Sequence, residues 1–108
     1  MARVDMQAAL DELGLEKSHF VKFVGDLRKF LDETLPRLHA AAATGDCMQT
    51  GQIAHSIKGA LATLRFIEAA EIAHQLEKSS AAQETDEVTV LLAKLETVLH
   101  DSYRELGF

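Results

Sequence analysis

Hydrophobic residues recur along this chain at three- and four-residue spacing, and polar or glycine-containing stretches divide the pattern into five segments. Such spacing places apolar side chains on one face of a helix and leaves the opposite face polar. Gly14 and the run Thr44-Gly45-Asp46 interrupt the pattern with residues typical of helix ends, and Asp46 is predicted to cap the helix that follows it. The pattern therefore predicts helices over 5–13, 16–43, 47–64, 67–78 and 87–106, with 79–86 as a polar connection.

The order of these segments predicts an all-α fold. Short connections between long helices favour antiparallel neighbours, so residues 16–106 are expected to form an up-down four-helix bundle. The short segment at 5–13 is expected to cap one end of it. With 108 residues, 47% of them hydrophobic and 26% charged, the chain fits a single globular domain over 1–108.

The second segment contains a proline and three phenylalanines whose positions lead to structural predictions. Pro36 lies inside it, and proline removes a backbone donor and clashes with the preceding turn, so we expect a kink or a local break there. Phe20, Phe23 and Phe30 follow the apolar spacing and are predicted to lie in the core.

Charge and cysteine content restrict the class of partner. The formal net charge is −6 and no basic patch occurs, so nucleic acid is not expected as a partner. The apolar runs are too short to span a bilayer, and no secretory signal is recognised at the start. Cys47 is the single cysteine, which excludes a disulfide within the chain and favours a reducing cytoplasm.

The candidate chemistry lies on the third segment, where His55 points away from the apolar stripe. At about 100° per residue, Ile53, Ile57, Ala60 and Leu64 fall roughly opposite the histidine. A glycine inside a helix costs roughly 1 kcal/mol relative to alanine, so glycines beside an outward histidine suggest close approach by another protein. The histidine's own face carries mostly small or polar residues: Met48, Gly51, Gln52, Lys58, Gly59 and Ala62.

The segment Ala54-His55-Ser56-Ile57-Lys58-Gly59-Ala60 resembles the signature of histidine-containing phosphotransfer (HPt) domains of multistep two-component phosphorelays. That family shows a histidine, a lysine three residues later, then a glycine and a small residue. Leu35-Pro36-Arg37-Leu38 before the motif, Gly45-Asp46 at the preceding turn and Leu76-Glu77 after it also agree with the family.

One position departs from the family pattern. Arg65 stands where the family often has a glycine, at the turn into the next helix. The turn Leu64-Arg65-Phe66 must therefore form without glycine's tolerance for positive φ.

The resemblance implies a phosphocarrier and not an enzyme. His55 would accept a phosphoryl group at Nε2 from an aspartyl phosphate and pass it to another aspartate. Neutral imidazole suits this step, since free imidazole is largely neutral near cytoplasmic pH. Lys58, one turn further along, would stabilise the phosphoryl charge, and Gln52 could donate a hydrogen bond to the ring or to the phosphoryl group.

The resemblance also implies the partners, which are receiver domains of a hybrid sensor kinase or a response regulator. No cofactor or metal site of the chain's own is expected, because no carboxylate cluster lies beside His55 in sequence, and the receiver would supply Mg²⁺. We expect a monomer in the cytoplasm, free or as the cytoplasmic end of a membrane-bound sensor kinase, without direct membrane contact. The predicted docking residues are Met48, Gly51, Gly59, Ala62 and Phe66.

Two other interpretations remain open at this point. The chain could be a non-phosphorylated helical adaptor that binds a receiver or kinase domain through the same face. An ATP-driven histidine kinase is a weaker alternative, because the chain has no glycine-rich nucleotide-binding loop. The remaining histidines show no metal-ligand pairing at i, i+4 and are interpreted as structural: His19, His39, His74 and His100.

Overall fold

The structure is a computed structural model that describes residues 4–108, so residues 1–3 of the predicted domain lie outside the described residues. Within residues 4–108 no strand occurs, which confirms the all-α prediction. In the same range, no helix is both long and apolar enough to cross a membrane. The helices are α1 (Met6–Leu13), α2 (Lys17–Ala43), α3 (Cys47–Thr63), α4 (Ile67–Ala81) and α5 (Thr85–Glu105).

The helices pack around one hydrophobic core. α3 contacts both α2 and α4, α4 contacts α5, and α5 returns to contact α2. Burial of a large aliphatic or aromatic side chain stabilises a fold by roughly 1.5–3 kcal/mol. α1 adds the buried Ala9 to this core. The apolar spacing predicts two inward stripes, Ala69, Ile72, Ala73 and Leu76 on the fourth segment and Val88, Leu91, Leu92, Leu95, Val98, Leu99 and Leu106 on the fifth. All of these residues are buried except Leu106, which is partly buried against the core.

Aspartate side chains start the two helices that bracket α2. The Asp5 carboxylate accepts a hydrogen bond of 3.0 Å from the Ala8 N–H, and the Asp46 carboxylate accepts one of 3.0 Å from the Gln49 N–H. Each bond satisfies a backbone donor that has no partner within its helix. The predicted cap at Asp46 is confirmed, and it fixes where α3 begins and therefore the direction of each later residue on that helix.

The predicted connection over 79–86 is wrong for most of its length. α4 continues to Ala81, and α5 already begins at Thr85. Ser79 and Ser80 are buried, and the Ser80 hydroxyl donates to the Leu76 carbonyl at 2.8 Å. A serine that bonds back into its own helix can lie in a core, so polar composition was a misleading signal here.

Pro36 does not break α2, which runs uninterrupted from Lys17 to Ala43. Proline removes the hydrogen bond that would otherwise reach the carbonyl of Asp32. Asp32 and Pro36 both lie at exposed positions. Water can therefore satisfy that carbonyl, and the expected local break is absent.

Two of the three phenylalanines predicted as core are surface residues. Phe20 is fully buried, but Phe23 and Phe30 are 41% and 38% exposed. At about 100° per residue, they lie roughly 60° and 80° away from the direction of Phe20, at the edge of the apolar stripe. They line an apolar cleft beside Leu13 of α1 and Leu64.

The turn after α3 forms without glycine because Arg65 itself adopts the left-handed conformation, with φ of 64°. Its Nε donates to Glu12 of α1 at 2.7 Å, and its Nη1 donates to the carbonyls of Ala62 and Thr63 at 3.1 and 3.3 Å. These bonds offset the conformational cost that a side chain bears at positive φ. The turn therefore leads directly into α4, which carries half of the site described next.

Candidate functional site

His55 lies in the middle of α3 and faces solvent. Its side chain is 64% exposed. Its helix neighbours Ile53, Ala54 and Ile57 are 5%, 0% and 0% exposed, so the helix is anchored in the core directly beneath it. The predicted outward direction of the imidazole is confirmed.

The ring of His55 is held by Glu77 of the neighbouring helix. Nδ1 of His55 lies 2.8 Å from Oε2 of Glu77. A carboxylate can only accept a hydrogen bond, so Nδ1 carries the proton in the neutral ring and Nε2 carries the lone pair. The preceding residue, Leu76, is fully buried and fixes this turn of α4. The pairing therefore leaves the ring tip as the nitrogen that is free to react.

Lys58 binds the other oxygen of the same carboxylate. Its Nζ lies 2.8 Å from Oε1 of Glu77, and its side chain is 28% exposed. The hydrogen bond from Lys58, followed by the bond and charge of His55, lowers the pKa of the Glu77 carboxyl below its ordinary value of 4.5, although partial burial opposes this. Glu77 is therefore an anionic anchor for two side chains of α3.

His74 completes the group, which we name the α3–α4 cluster: His55, Lys58, His74 and Glu77. Nδ1 of His74 lies 3.7 Å from Oε1 of Glu77, which is within ion-pair range but beyond a hydrogen bond. This nitrogen is buried and has no hydrogen-bond partner, although 44% of the side chain is exposed.

The sequence pattern predicts His55 and Lys58 as site residues but does not place Glu77 or His74 with them. Glu77 was noted only as part of the Leu76-Glu77 pair of the family pattern. The available signal was that an acidic residue follows a buried leucine in the next helix. That signal does not show which residues of α3 and α4 lie opposite each other.

The surface around His55 is low, as the small residues predicted. An added Cβ at Gly59 would meet no atom within 4 Å, and Ala62 is exposed. Met48 is 76% exposed. At Gly51 an added Cβ would lie 3.6 Å from Cβ of Ser80, which is an ordinary contact with α4. A visiting surface could therefore approach the ring closely on the side of Gly59 and Ala62, while Met48 offers an exposed apolar contact.

Gln52 lies in the same shallow depression as His55 and Glu77. Its side chain is exposed, and within residues 4–108 it forms no hydrogen bond with the ring of His55. Because Nδ1 carries the proton that it donates to Glu77, the Gln52 amide could donate only to the lone pair on Nε2. A contact between Gln52 and a phosphoryl group stays a prediction.

Phe66 is not a docking residue. It is fully buried at the start of α4, and its ring meets that of Tyr103 edge-on with centroids 6.2 Å apart. The prediction of a docking role for Phe66 is therefore wrong.

The cluster offers one nucleophilic nitrogen, one nearby cation and one carboxylate. Within the described residues, no three histidine, cysteine, aspartate or glutamate side chains are grouped so as to hold a metal ion. The single carboxylate in the cluster already binds Lys58 and His55. The arrangement suits a ring that accepts a group from a partner.

Comparison with known proteins gives a family for the chain. The model of the Hpt domain family matches residues 22–104, which include every member of the α3–α4 cluster. No curated protein and no solved structure matches the chain. Hpt domains are phosphocarriers of phosphorelays and interact with receiver domains. The chain belongs to the Hpt domain family and is a phosphotransfer module of that kind.

Proposed function

We propose that His55 carries a phosphoryl group between two receiver domains. Nε2 accepts the group from the aspartyl phosphate of one receiver and gives it to the aspartate of another. The observation that carries this proposal is the 2.8 Å bond between Nδ1 and Glu77, on a ring that is 64% exposed. It leaves Nε2 with the lone pair, at the tip of the ring.

The transfer balances without a proton leaving the site. Nε2 of the neutral ring attacks phosphorus, the bond from phosphorus to the aspartyl oxygen breaks, and the aspartate leaves as a carboxylate. The proton on Nδ1 stays in place, so the phosphorylated ring becomes cationic while Glu77 remains its anionic acceptor. Transfer to the second receiver reverses these steps.

Lys58 would stabilise the phosphoryl oxygens. It lies one helical turn after His55 and near the same carboxylate, so its ammonium group is already beside the ring. At about 4 Å, attraction between two unit charges is about 1 kcal/mol in water and about 4 kcal/mol at an intermediate dielectric. Lys58 therefore modulates the transfer, and the receiver provides most of the catalysis.

The receiver would supply Mg²⁺ and the acidic pocket that binds it. Met48, Gly51, Gly59 and Ala62 would form the docking surface around His55, and their low relief suits a limited and short-lived interface. We expect a monomer whose four longer helices run in up-down order. The expected location is the cytoplasm, either free or at the cytoplasmic end of a membrane-bound sensor kinase.

The test is phosphoryl transfer from a receiver domain labelled with radioactive phosphate. Wild type and His39→Ala should acquire an acid-labile, base-stable label, and His55→Ala should acquire none. His39 is a matched control because it is also exposed and also paired with a glutamate. A labelled His55→Ala would refute the proposal. Full signalling by His55→Gln would instead favour the adaptor interpretation.

A further inference from the structure

One polar atom of the α3–α4 cluster has no partner. Nδ1 of His74 is buried and accepts or donates no hydrogen bond, but it faces Oε1 of Glu77 at 3.7 Å. Buried polar atoms without partners are uncommon in folded proteins, and each one calls for a physical reason. Oε1 of Glu77 already accepts a hydrogen bond from Lys58 at 2.8 Å.

We propose that His74 replaces Lys58 on Glu77 when His55 is phosphorylated. Lys58 turns to the phosphoryl oxygens, and the Nδ1–H of His74 donates to the vacated Oε1. The inference rests on the proposed phosphorylation of His55. His74 is then a positioning residue, because it acts through Glu77 and not on the phosphoryl group.

The exchange requires only a small movement. A normal hydrogen bond between nitrogen and oxygen measures about 2.9 Å, so His74 must approach by about 1 Å. His74 and Glu77 lie three residues apart on α4, on neighbouring positions of the helix surface. The side chain of His74 is 44% exposed, so rotation of the ring requires no change in the core.

Charge gives the exchange its direction. In the unphosphorylated state one ammonium group neutralises Glu77, and the hydrogen bond from Lys58 is the main cause of its lowered pKa. A phosphoryl group on Nε2 brings close to two negative charges beside that carboxylate. If Lys58 turns to the phosphoryl oxygens, Oε1 of Glu77 loses a hydrogen-bond donor, and the unpaired Nδ1 of His74 lies beside that oxygen. Donation from His74 keeps Glu77 in place as the acceptor for Nδ1 of His55.

The first arm of the test needs no phosphorylation. Lys58→Met vacates Oε1 of Glu77, so His74 should close onto it. In protein with ¹⁵N-labelled histidine, NMR should then show a slowly exchanging Nδ1–H signal that unphosphorylated wild type lacks. Adding His74→Leu should remove the signal, while adding the exposed His19→Leu should leave it. Absence of this signal in Lys58→Met would overturn the inference.

In the second arm, wild-type protein is phosphorylated with phosphoramidate. The phosphoryl group is transferred to Nε2 of His55, and ammonia is the leaving group. The same His74 signal should appear as phosphohistidine forms. If His55 is phosphorylated and the signal does not appear, the exchange is wrong and the proposed function stands. If neither phosphoramidate nor a phosphorylated receiver modifies His55, the proposed function fails and the exchange fails with it, and the Lys58→Met arm then shows only whether His74 can bind the vacated Oε1.

The phosphorylated fraction of His74 variants shows whether His74 positions Glu77 or only packs against it. His74→Leu should lower the phosphorylated fraction at equilibrium with a receiver by about threefold to tenfold, which lies within the range for the net loss of one ordinary hydrogen bond. His74→Asn should restore it, because the asparagine amide can donate from nearly the same place as Nδ1. Equal phosphorylation of wild type and His74→Leu, or failure of His74→Asn to restore it, would contradict the positioning role.

Discussion

Two histidine–glutamate pairs bridge neighbouring helices on different sides of this molecule. His55 of α3 pairs with Glu77 of α4, and His39 of α2 pairs with Glu96 of α5. The two rings are similarly accessible, with side chains 64% and 51% exposed. Exposure and the presence of a carboxylate therefore do not distinguish them.

The pairs differ in the ring nitrogen that the carboxylate holds. Glu77 contacts Nδ1 of His55, whereas Glu96 contacts Nε2 of His39. The carboxylate takes the proton-bearing nitrogen, so the lone pair lies at the ring tip of His55 but on the inner side of His39. If His55 carries the phosphoryl group as proposed, the nitrogen that each glutamate holds explains why His55 and not His39 presents a reactive ring tip.

Their surroundings differ as well. His55 has Lys58 on the same carboxylate and Gly59 one turn away. His39 lies in a cleft between α2 and α5 with Ala93 among its lining residues. Among the described residues, no lysine or arginine pairs with Glu96. Only the first pair therefore combines a free ring tip with a cation and an open approach.

The largest effect is expected from blocking that approach. Gly59→Gln should lower transfer from a receiver about a hundredfold, because displacement of the reacting atoms by even 1 Å can have this effect. The same change should raise the free energy of unfolding by about 0.5–1 kcal/mol, since the site is helical and has open space. Denaturant unfolding and labelled transfer measure the two quantities.

Ala93→Gln is the matched control, on an exposed helical position beside the other pair. It should leave transfer unchanged. Normal transfer by folded Gly59→Gln would show that the partner does not approach closely at that position.

Removal of Glu77 or of Glu96 tests whether the two histidine–glutamate pairs differ in function. Glu77→Ala should slow transfer about tenfold, which corresponds to about 1.4 kcal/mol of lost positioning of the His55 ring and its tautomer. Glu96→Ala should transfer at the wild-type rate, because its histidine does not react. Rapid-quench kinetics with a labelled receiver measure both rates. Equal rates for the two variants would remove the distinction between the pairs.

Lys58→Met should have a smaller effect. Loss of about 1 kcal/mol of attraction to the phosphoryl group would lower the phosphorylated fraction at equilibrium roughly fivefold. The fraction can be followed by phosphate-affinity electrophoresis at neutral pH. An unchanged fraction would show that the ammonium group stays on Glu77 after phosphorylation.

The smallest effect concerns stability and pH. Because the folded protein lowers the pKa of Glu77 below 4.5, the unfolded chain binds a proton there first as pH falls. The stabilisation by Glu77 should be complete above about pH 5 and disappear as pH falls through the folded pKa, and for this partly exposed group it should stay below about 1 kcal/mol. Chemical unfolding of wild type and Glu77→Gln between pH 3 and about 7 measures it.

Lys58→Met provides the control, since it removes the main cause of the shift. The difference between Lys58→Met and the double variant Lys58→Met/Glu77→Gln should vary less with pH than the difference between wild type and Glu77→Gln. An equal variation would assign the shift to His55 instead.

The sequence could predict what local periodicity determines. The helix spacing and the Asp46 cap were enough to place α3 and to turn His55 away from Ile53 and Ile57, both of which are buried. Lys58 followed from its distance of one turn. These features depend on residues close together in one helix, so no tertiary information was needed.

The sequence could not predict contacts that depend on register between helices. Glu77 lies 22 residues from His55, and only the packing of α3 on α4 brings their atoms together. The docking role predicted for Phe66 is wrong because its ring packs in the core against Tyr103 of α5, a contact between distant parts of the chain. Ser80 was misassigned because its buried hydroxyl is satisfied within α4.

The most direct test of the central claim identifies the phosphorylated nitrogen. Wild-type protein with ¹⁵N-labelled histidine would be phosphorylated by a receiver and examined by ³¹P–¹⁵N correlation NMR. The structure predicts a single phosphorus bonded to Nε2 of His55, with Nδ1 still protonated and held by Glu77. Phosphorus on Nδ1 of His55, or on either nitrogen of His39, would contradict the account.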